Sequence, residues 1–157
     1  MSTPETAPIL LCYDRSEGAT HAIEAAGALL QGRKAVVLHV WSPVAVIAAA
    51  YGGMATTLPS YNDADLEKAA EQLSEEGAQK ARAAGFDAQA EIVQVGYNGT
   101  ARTILDAADQ HDAGLVVLGA RGLSSFKSLL LGSVSHGVAQ HAHRPVLIVP
   151  RAVAPAV

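Results

Sequence analysis

The residues best suited to chemistry lie between Leu115 and Ser135, in the stretch LVVLGARGLSSFKSLLLGSVS. An apolar run from Leu115 to Leu118 ends on Gly119. Gly122 follows after two residues, and nine more lead to Gly132 and Ser133, where a helical pattern begins. Strand, glycine-punctuated loop and hydroxyl at a helix start together describe an anion site. Glycine lets backbone N–H groups approach an oxyanion closely, and the unpaired N–H groups and dipole of a helix N-terminus favour negative charge. Phosphate is the expected anion. Neither of the common phosphate loops fits. A Walker loop needs Lys directly after its second glycine, whereas Gly132 is followed by Ser133 and Val134, and G-x-G-x-x-G occurs nowhere in the chain. The competing reading is a plain turn at Gly119 and Gly122, with Ser133 as a helix cap.

Other side chains with chemical potential are few. Asp14 ends the first apolar run, where it is either a ligand contact or a turn residue ahead of a cap at Ser16. Cys12 is the single cysteine, so no intramolecular disulfide forms. Its place inside ILLCY reads as a buried structural thiol, and the lone thiol agrees with a reducing, cytoplasmic setting. His136, His141 and His143 invite a metal site, but their spacing does not put all three on one helical face, and solvated or packed histidines are the better reading. His39, inside the second strand run, reads as core.

These residues need elements to position them. Half of the 157 residues are hydrophobic, 17% are charged and 4% aromatic, a balance that suits one compact α/β domain with one sizeable core. The formal charge of −4, with no basic stripe, argues against nucleic acid and an anionic membrane surface as partners. The first residues, MSTPETAP, have neither the charged start nor the apolar core of a secretory signal, and no apolar run reaches membrane-spanning length.

Strand runs are expected at residues 9–13 (ILLCY), 35–41 (AVVLHVW), 88–95 (AQAEIVQV), 115–118 (LVVL) and 145–149 (PVLIV). The third alternates small or apolar with polar residues, as an edge strand would. Between them, helical spacing appears at 19–30, with Ser16 as N-cap, Ala22, Ile23, Ala26, Leu29 and Leu30 inward, and Gly32 as terminator. A long amphipathic helix carries Leu66, Ala69, Ala70, Leu73, Gly77, Ala81 and Ala84 on one stripe and stops at Gly85. Two further helices cover 100–108 and about 133–141. From Pro43 to Pro59 the Ala-rich pattern, broken by Gly52 and Gly53, reads as a mobile or partner-contacting excursion. Strands alternating with helices imply a parallel sheet covered on both faces, with a ligand crevice beyond the carboxyl ends of the strands where the winding reverses. Asp14, Trp41 and Gly119 sit at such ends. Periodicity alone does not set the strand order.

The pattern Gly119-x2-Gly122-x9-Gly132-Ser133 resembles the nucleotide-binding signature of the universal stress protein family, ATP-binding branch. The likeness extends to ILLCYDRSEGATHAIEAA at the first strand exit, to VVLHV in the second strand and to RPVLIVP at the closing strand, and so spans nearly the whole chain. It implies a single-domain, Rossmann-like open sheet of five parallel strands in the order 3-2-1-4-5, of the adenine nucleotide alpha hydrolase-like type. The domain would cover residues 8–150, with a flexible N-terminus over 1–7 and a flexible tail over 151–157. One departure is Gly114, where the family often has Asp, and it affects strand entry rather than the pocket.

The resemblance also implies site roles. Asp14 would contact the adenosine part, Val40 would meet adenine through its backbone, and Cys12 and Tyr13 would line the same pocket. Gly119, Gly122, Gly132, Ser133, Val134 and Ser135 would hold phosphates, with Arg121 either adding a charge or facing water. The implied ligand is ATP, with a divalent cation such as Mg2+ or Mn2+ held through the phosphates rather than by a protein cage. The implied assembly is a homodimer through the closing strand, Pro145 to Val149. The function expected is a nucleotide-dependent regulatory or binding module in stress response. The alternatives are a slow ATPase or autokinase on the same scaffold, for which no compelling catalytic group stands out, and a dimeric interaction module that does not use ATP.

Overall fold

The computed structural model describes residues 6–51, 62–122 and 131–151. Its elements run β1 (Ile9–Cys12), α1 (Glu17–Leu29), β2 (Lys34–Trp41), α2 (Val44–Ala50), α3 (Asp63–Ala83), β3 (Asp87–Gln94), α4 (Gly99–Gln110), β4 (Leu115–Gly119), α5 (Ser133–His141) and β5 (Val146–Val149). All strand pairs are parallel, and the sheet order is β3-β2-β1-β4-β5, as the family resemblance implied.

Burial explains why β1 sits at the centre. Ile9, Leu10 and Leu11 are fully buried, so the run has no solvent face and needs cover on both sides. Successive side chains alternate between two cores. Ile9 and Leu11 pack with Ala22, Ile23 and Ala26 of α1 and with Ala78 and Ala81 of α3. Leu10 packs with Ile104, Leu105 and Ala108 of α4 and with Val138 of α5. Helices α1 and α3 therefore cover one face, and α4 and α5 the other. The chain winds from β1 to β2 in one direction and returns to pair β4 on the other side of β1. That reversal opens a crevice beyond the carboxyl ends of β1 and β4.

The element boundaries lie within a few residues of those read from the pattern, and the differences have local causes. α1 begins earlier, at Glu17, because Ser16 caps it: the Ala19 amide donates to Ser16 Oγ at 3.0 Å. Leu29, expected inward, is exposed at the end of that helix. The buried stripe of α3 is Ala70, Ser74, Gly77, Ala78 and Ala81, so Ala69 faces solvent and Ser74 takes a core place. The Ser74 hydroxyl is satisfied there, because its single proton has the carbonyls of Val37 and Glu91 within hydrogen-bond reach and its Oγ accepts from the Glu91 amide. Gly32 and Gly85, at φ +77° and +100°, follow α1 and α3 in the left-handed region that glycine takes at no steric cost.

The excursion expected from residue 43 begins with a seven-residue helix, α2, none of whose residues is fully buried; residues 52–59 of it lie outside the described residues. At the N-terminus, Ala7 is buried and its carbonyl accepts from Arg33 Nη2. Residues 1–5 of that end, and 152–157 of the expected tail, lie outside the described residues. Among the described residues, no helix is long and apolar enough to cross a membrane.

Candidate functional site

Beyond β1 and β4 lies an open cleft whose empty space, mouth included, is about 770 Å³. Every residue that the resemblance assigned to a ligand lines it: Cys12, Tyr13 and Asp14 at the exit of β1, Val40 in β2, Gly119, Arg121 and Gly122 after β4, and Gly132, Ser133, Val134 and Ser135 at the start of α5. The loop residues 123–130, inside the glycine spacing, lie outside the described residues.

The two ends of the glycine loop are tied together by one carbonyl. Ala120 O accepts from the Gly132 amide at 2.7 Å and from Ser135 Oγ at 2.7 Å, while the Ala120 amide donates to Val149 O of β5. Ser135 is buried, and its hydroxyl also lies 3.0 Å from Gly132 O. That side chain is thus occupied in closing the loop. What the start of α5 offers a ligand is its backbone: Gly132 is the N-cap and makes no side-chain cap bond, and the first amides of a helix, here those of Ser133, Val134 and Ser135, have no partner within the helix itself.

The glycines differ in what they make room for. A Cβ on Gly119 would lie 2.8 Å from the backbone carbonyl of Gly18, and one on Gly18 would lie 2.6 Å from Arg121 O. The first turn of α1 and the glycine loop therefore meet backbone to backbone. A Cβ on Gly122 would lie 2.5 Å from Asp14 Oδ2, so this glycine lets the carboxylate lie against the loop. Gly132 is different: the nearest atom to its Cβ position is 3.5 Å away, an ordinary contact, and its φ of −71° suits any residue. Neither strain nor packing within the described residues requires glycine there.

Asp14 is held from behind. The Ser16 amide donates to Asp14 Oδ1 at 2.9 Å across Arg15, an Asx turn, which leaves Oδ2 beside Gly122. The turn and ligand readings of Asp14 are thus compatible, one oxygen for each. Tyr13 points its ring away from the cleft into the α1 and α3 core, and its hydroxyl donates to Glu76 Oε1 at 2.7 Å. Burial first, and that bond second, push its pKa up to about 12. The Cys12 thiol is pushed up to about 12 as well, by burial and then by the Asp14 carboxylate, so it serves as a neutral wall rather than a nucleophile.

Pattern reading missed part of the lining. His39, read as core, borders the cleft, and its Nδ1 donates to the Tyr13 carbonyl at 2.9 Å. Thr100 and Ile104 bring α4 to the same cleft. The signal for Thr100 was its place just after Asn98 and Gly99 at a helix start, and Asn98, like Gly132, makes no side-chain cap bond. His136, His141 and His143 are exposed and lie outside the cleft lining. Among the described residues no three His, Cys, Asp or Glu side chains converge as metal ligands.

The comparisons with known proteins agree with this architecture. The model of the universal stress protein family matches residues 6–150. Universal stress protein YxiE of Bacillus subtilis is 33% identical over 147 residues, covering 90% of this chain and 97% of its own. Among solved structures, a universal stress protein in complex with cAMP superposes with a TM-score of 0.66 at 23% identity, over 93% of this chain and 98% of that one. A universal stress protein from Archaeoglobus fulgidus in complex with dAMP gives 0.63 at 23% identity, over 90% and 96%. At such identity these two structures speak for the fold.

Proposed function

Because this chain belongs to the universal stress protein family, we propose that it is a nucleotide-dependent regulatory or binding module in stress response, and that the cleft beyond β1 and β4 takes ATP. The observation that carries the reading is Gly132. It caps α5 without a side-chain bond, and a Cβ there would meet only ordinary contacts, the nearest at 3.5 Å, so the protein's own packing does not require glycine beside amides poised for an anion. In this reading the phosphates lie on the amides of Ser133, Val134 and Ser135, with Gly119 and Gly122 shaping the loop and Arg121 at its rim. Adenine lies between Val40 and the Cys12 wall, and Asp14 Oδ2 accepts from ribose hydroxyls or the exocyclic amine. The two relatives solved with cAMP and dAMP support an adenine nucleotide. Mg2+ or Mn2+ is held through the phosphate oxygens, whose charge it offsets.

Binding is favoured over turnover because the buried hydroxyl of Ser135 is engaged with Ala120 O, and the free oxygen of Asp14 is assigned to the nucleoside end rather than to the phosphates. The homodimer forms through β5, an edge strand in which Val146, Leu147 and Ile148 are only partly buried. The working location is the cytoplasm, in line with the single reduced thiol.

Calorimetry of the nucleotide-stripped protein with ATP, ADP and AMP, with and without magnesium, tests the site, alongside Gly132→Ala. Micromolar ATP binding is expected, weakened about tenfold or more in the variant at an unchanged urea midpoint. A folded parent protein that binds none of the three would overturn the nucleotide reading and leave a dimeric interaction module.

A further inference from the structure

Arg15 stands in a conformation that its residue type disfavours. Its φ is +66°, in the left-handed region where a side chain crowds the backbone, and glycine is the residue that enters it freely. The conformation matters for the cleft because the Asx turn spans it: the Ser16 amide reaches back over Arg15 to Asp14 Oδ1. Arg15 thus sets the direction of the carboxylate that faces Gly122.

What holds Arg15 there is a residue outside the cleft lining. Glu76 of α3 accepts from Arg15 Nη2 at 2.7 Å and from Nε at 3.1 Å with Oε2, while its Oε1 accepts from the Tyr13 hydroxyl at 2.7 Å. One carboxylate therefore grips both chain neighbours of Asp14. Tyr13 is fixed further by its amide, which donates to Leu38 O, and by its carbonyl, which accepts from His39 Nδ1. The grip also depends on how closely α3 approaches. A Cβ on Gly77, next to Glu76, would lie 2.6 Å from the Tyr13 ring, so only glycine permits the helix to lie that near. A lone exposed ion pair contributes little, but here the pair shares its carboxylate with a buried phenol and works against one strained residue.

We propose that Glu76 is a positioning residue for the nucleotide site, holding Arg15 in its left-handed conformation and thereby aiming Asp14 into the cleft. The inference rests on the nucleotide reading above. It makes α3, which starts 49 positions after Asp14, part of the binding machinery through no contact with ligand.

A double-mutant cycle tests it. Glu76→Gln keeps an acceptor for Tyr13 but sets an amide against the guanidinium, so ATP affinity should fall about threefold to tenfold. In an Arg15→Gly background the left-handed position needs no clamp, and Glu76→Gln should then cost nothing further. An equal loss in both backgrounds, or none in either, would overturn the proposal. Hydrogen exchange of the Ser16 amide in the nucleotide-free protein separates this result from failure of the nucleotide reading. Glu76→Gln should speed that exchange whether or not ATP binds, and unchanged protection would also overturn it.

Discussion

Two helix starts face the same cleft with nearly the same backbone and opposite fates. Ser16, the cap of α1, has φ −64° and ψ 154°; Gly132, the cap of α5, has φ −71° and ψ 165°. At the first, a side-chain oxygen takes the Ala19 amide, and the Asp14 carboxylate, two residues before the cap, takes the Ser16 amide. At the second, the cap residue supplies no oxygen. The difference is one hydroxyl. A side-chain cap takes one of the first amides of its helix for the protein, whereas an uncapped start leaves that amide, with the dipole, to a partner. The β1–α1 connection is therefore a sealed piece that presents one carboxylate oxygen, and the β4–α5 connection is the piece that presents donors. A nucleotide, with hydroxyls and an amine at one end and phosphates at the other, complements that division.

The comparison can be broken most forcefully at Gly119. Its missing Cβ faces the Gly18 backbone at 2.8 Å, which cannot swing aside, so Gly119→Ala should lower unfolding stability by about 2 kcal/mol or more in urea titrations. An Ala at 119 as harmless as one at 132 would show that the two connections do not meet backbone to backbone.

A smaller effect separates the sealed piece by pH. The Tyr13 phenol has its pKa raised from 10.0 to about 12, so the folded state holds that proton more tightly than the unfolded state does. The contribution is complete below pH 10 and disappears as pH rises toward 12, with a slope of at most about 1.4 kcal/mol per pH unit. Urea midpoints at pH 9 and pH 11 should fall further for the parent protein than for Tyr13→Phe. Equal falls would detach Tyr13 from the seal.

The smallest stability change sharpens the comparison most. Gly132→Ser gives α5 the cap that α1 already has, which should raise stability by a few tenths of a kcal/mol. The same hydroxyl takes an amide from the anion, so ATP affinity should drop in calorimetry. A more stable protein with undiminished affinity would place the phosphates elsewhere.

Much of this was legible in the residues. Ser16 announced the first helix, the periods of two and 3.6 residues separated strands from helices, and the glycine spacing led to residues that all line one cleft. The legible features are local ones, fixed by dihedral preference and side-chain period within a window of a dozen residues. Even the strand order came through family likeness, since no local rule orders strands.

Tertiary structure decided why the glycines are glycines. Asp14 and Gly122 are over a hundred positions apart, and only the return of β4 to the side of β1 brings a carboxylate oxygen against that glycine. The same return turns Gly119 into a point of backbone contact with Gly18. At Gly132 it brings nothing closer than an ordinary contact at 3.5 Å. Likewise the burial of Ser135 depends on Ala120 O lying beneath it, and the hold of Glu76 on Tyr13 and Arg15 depends on α3 packing over the sheet. The sequence by itself determined which segments become strands, helices and an anion loop, because those follow from local sterics and periodicity. Which side chains close the site and which amides stay open was decided by packing between distant segments, because a donor is free or engaged only according to what the fold brings beside it.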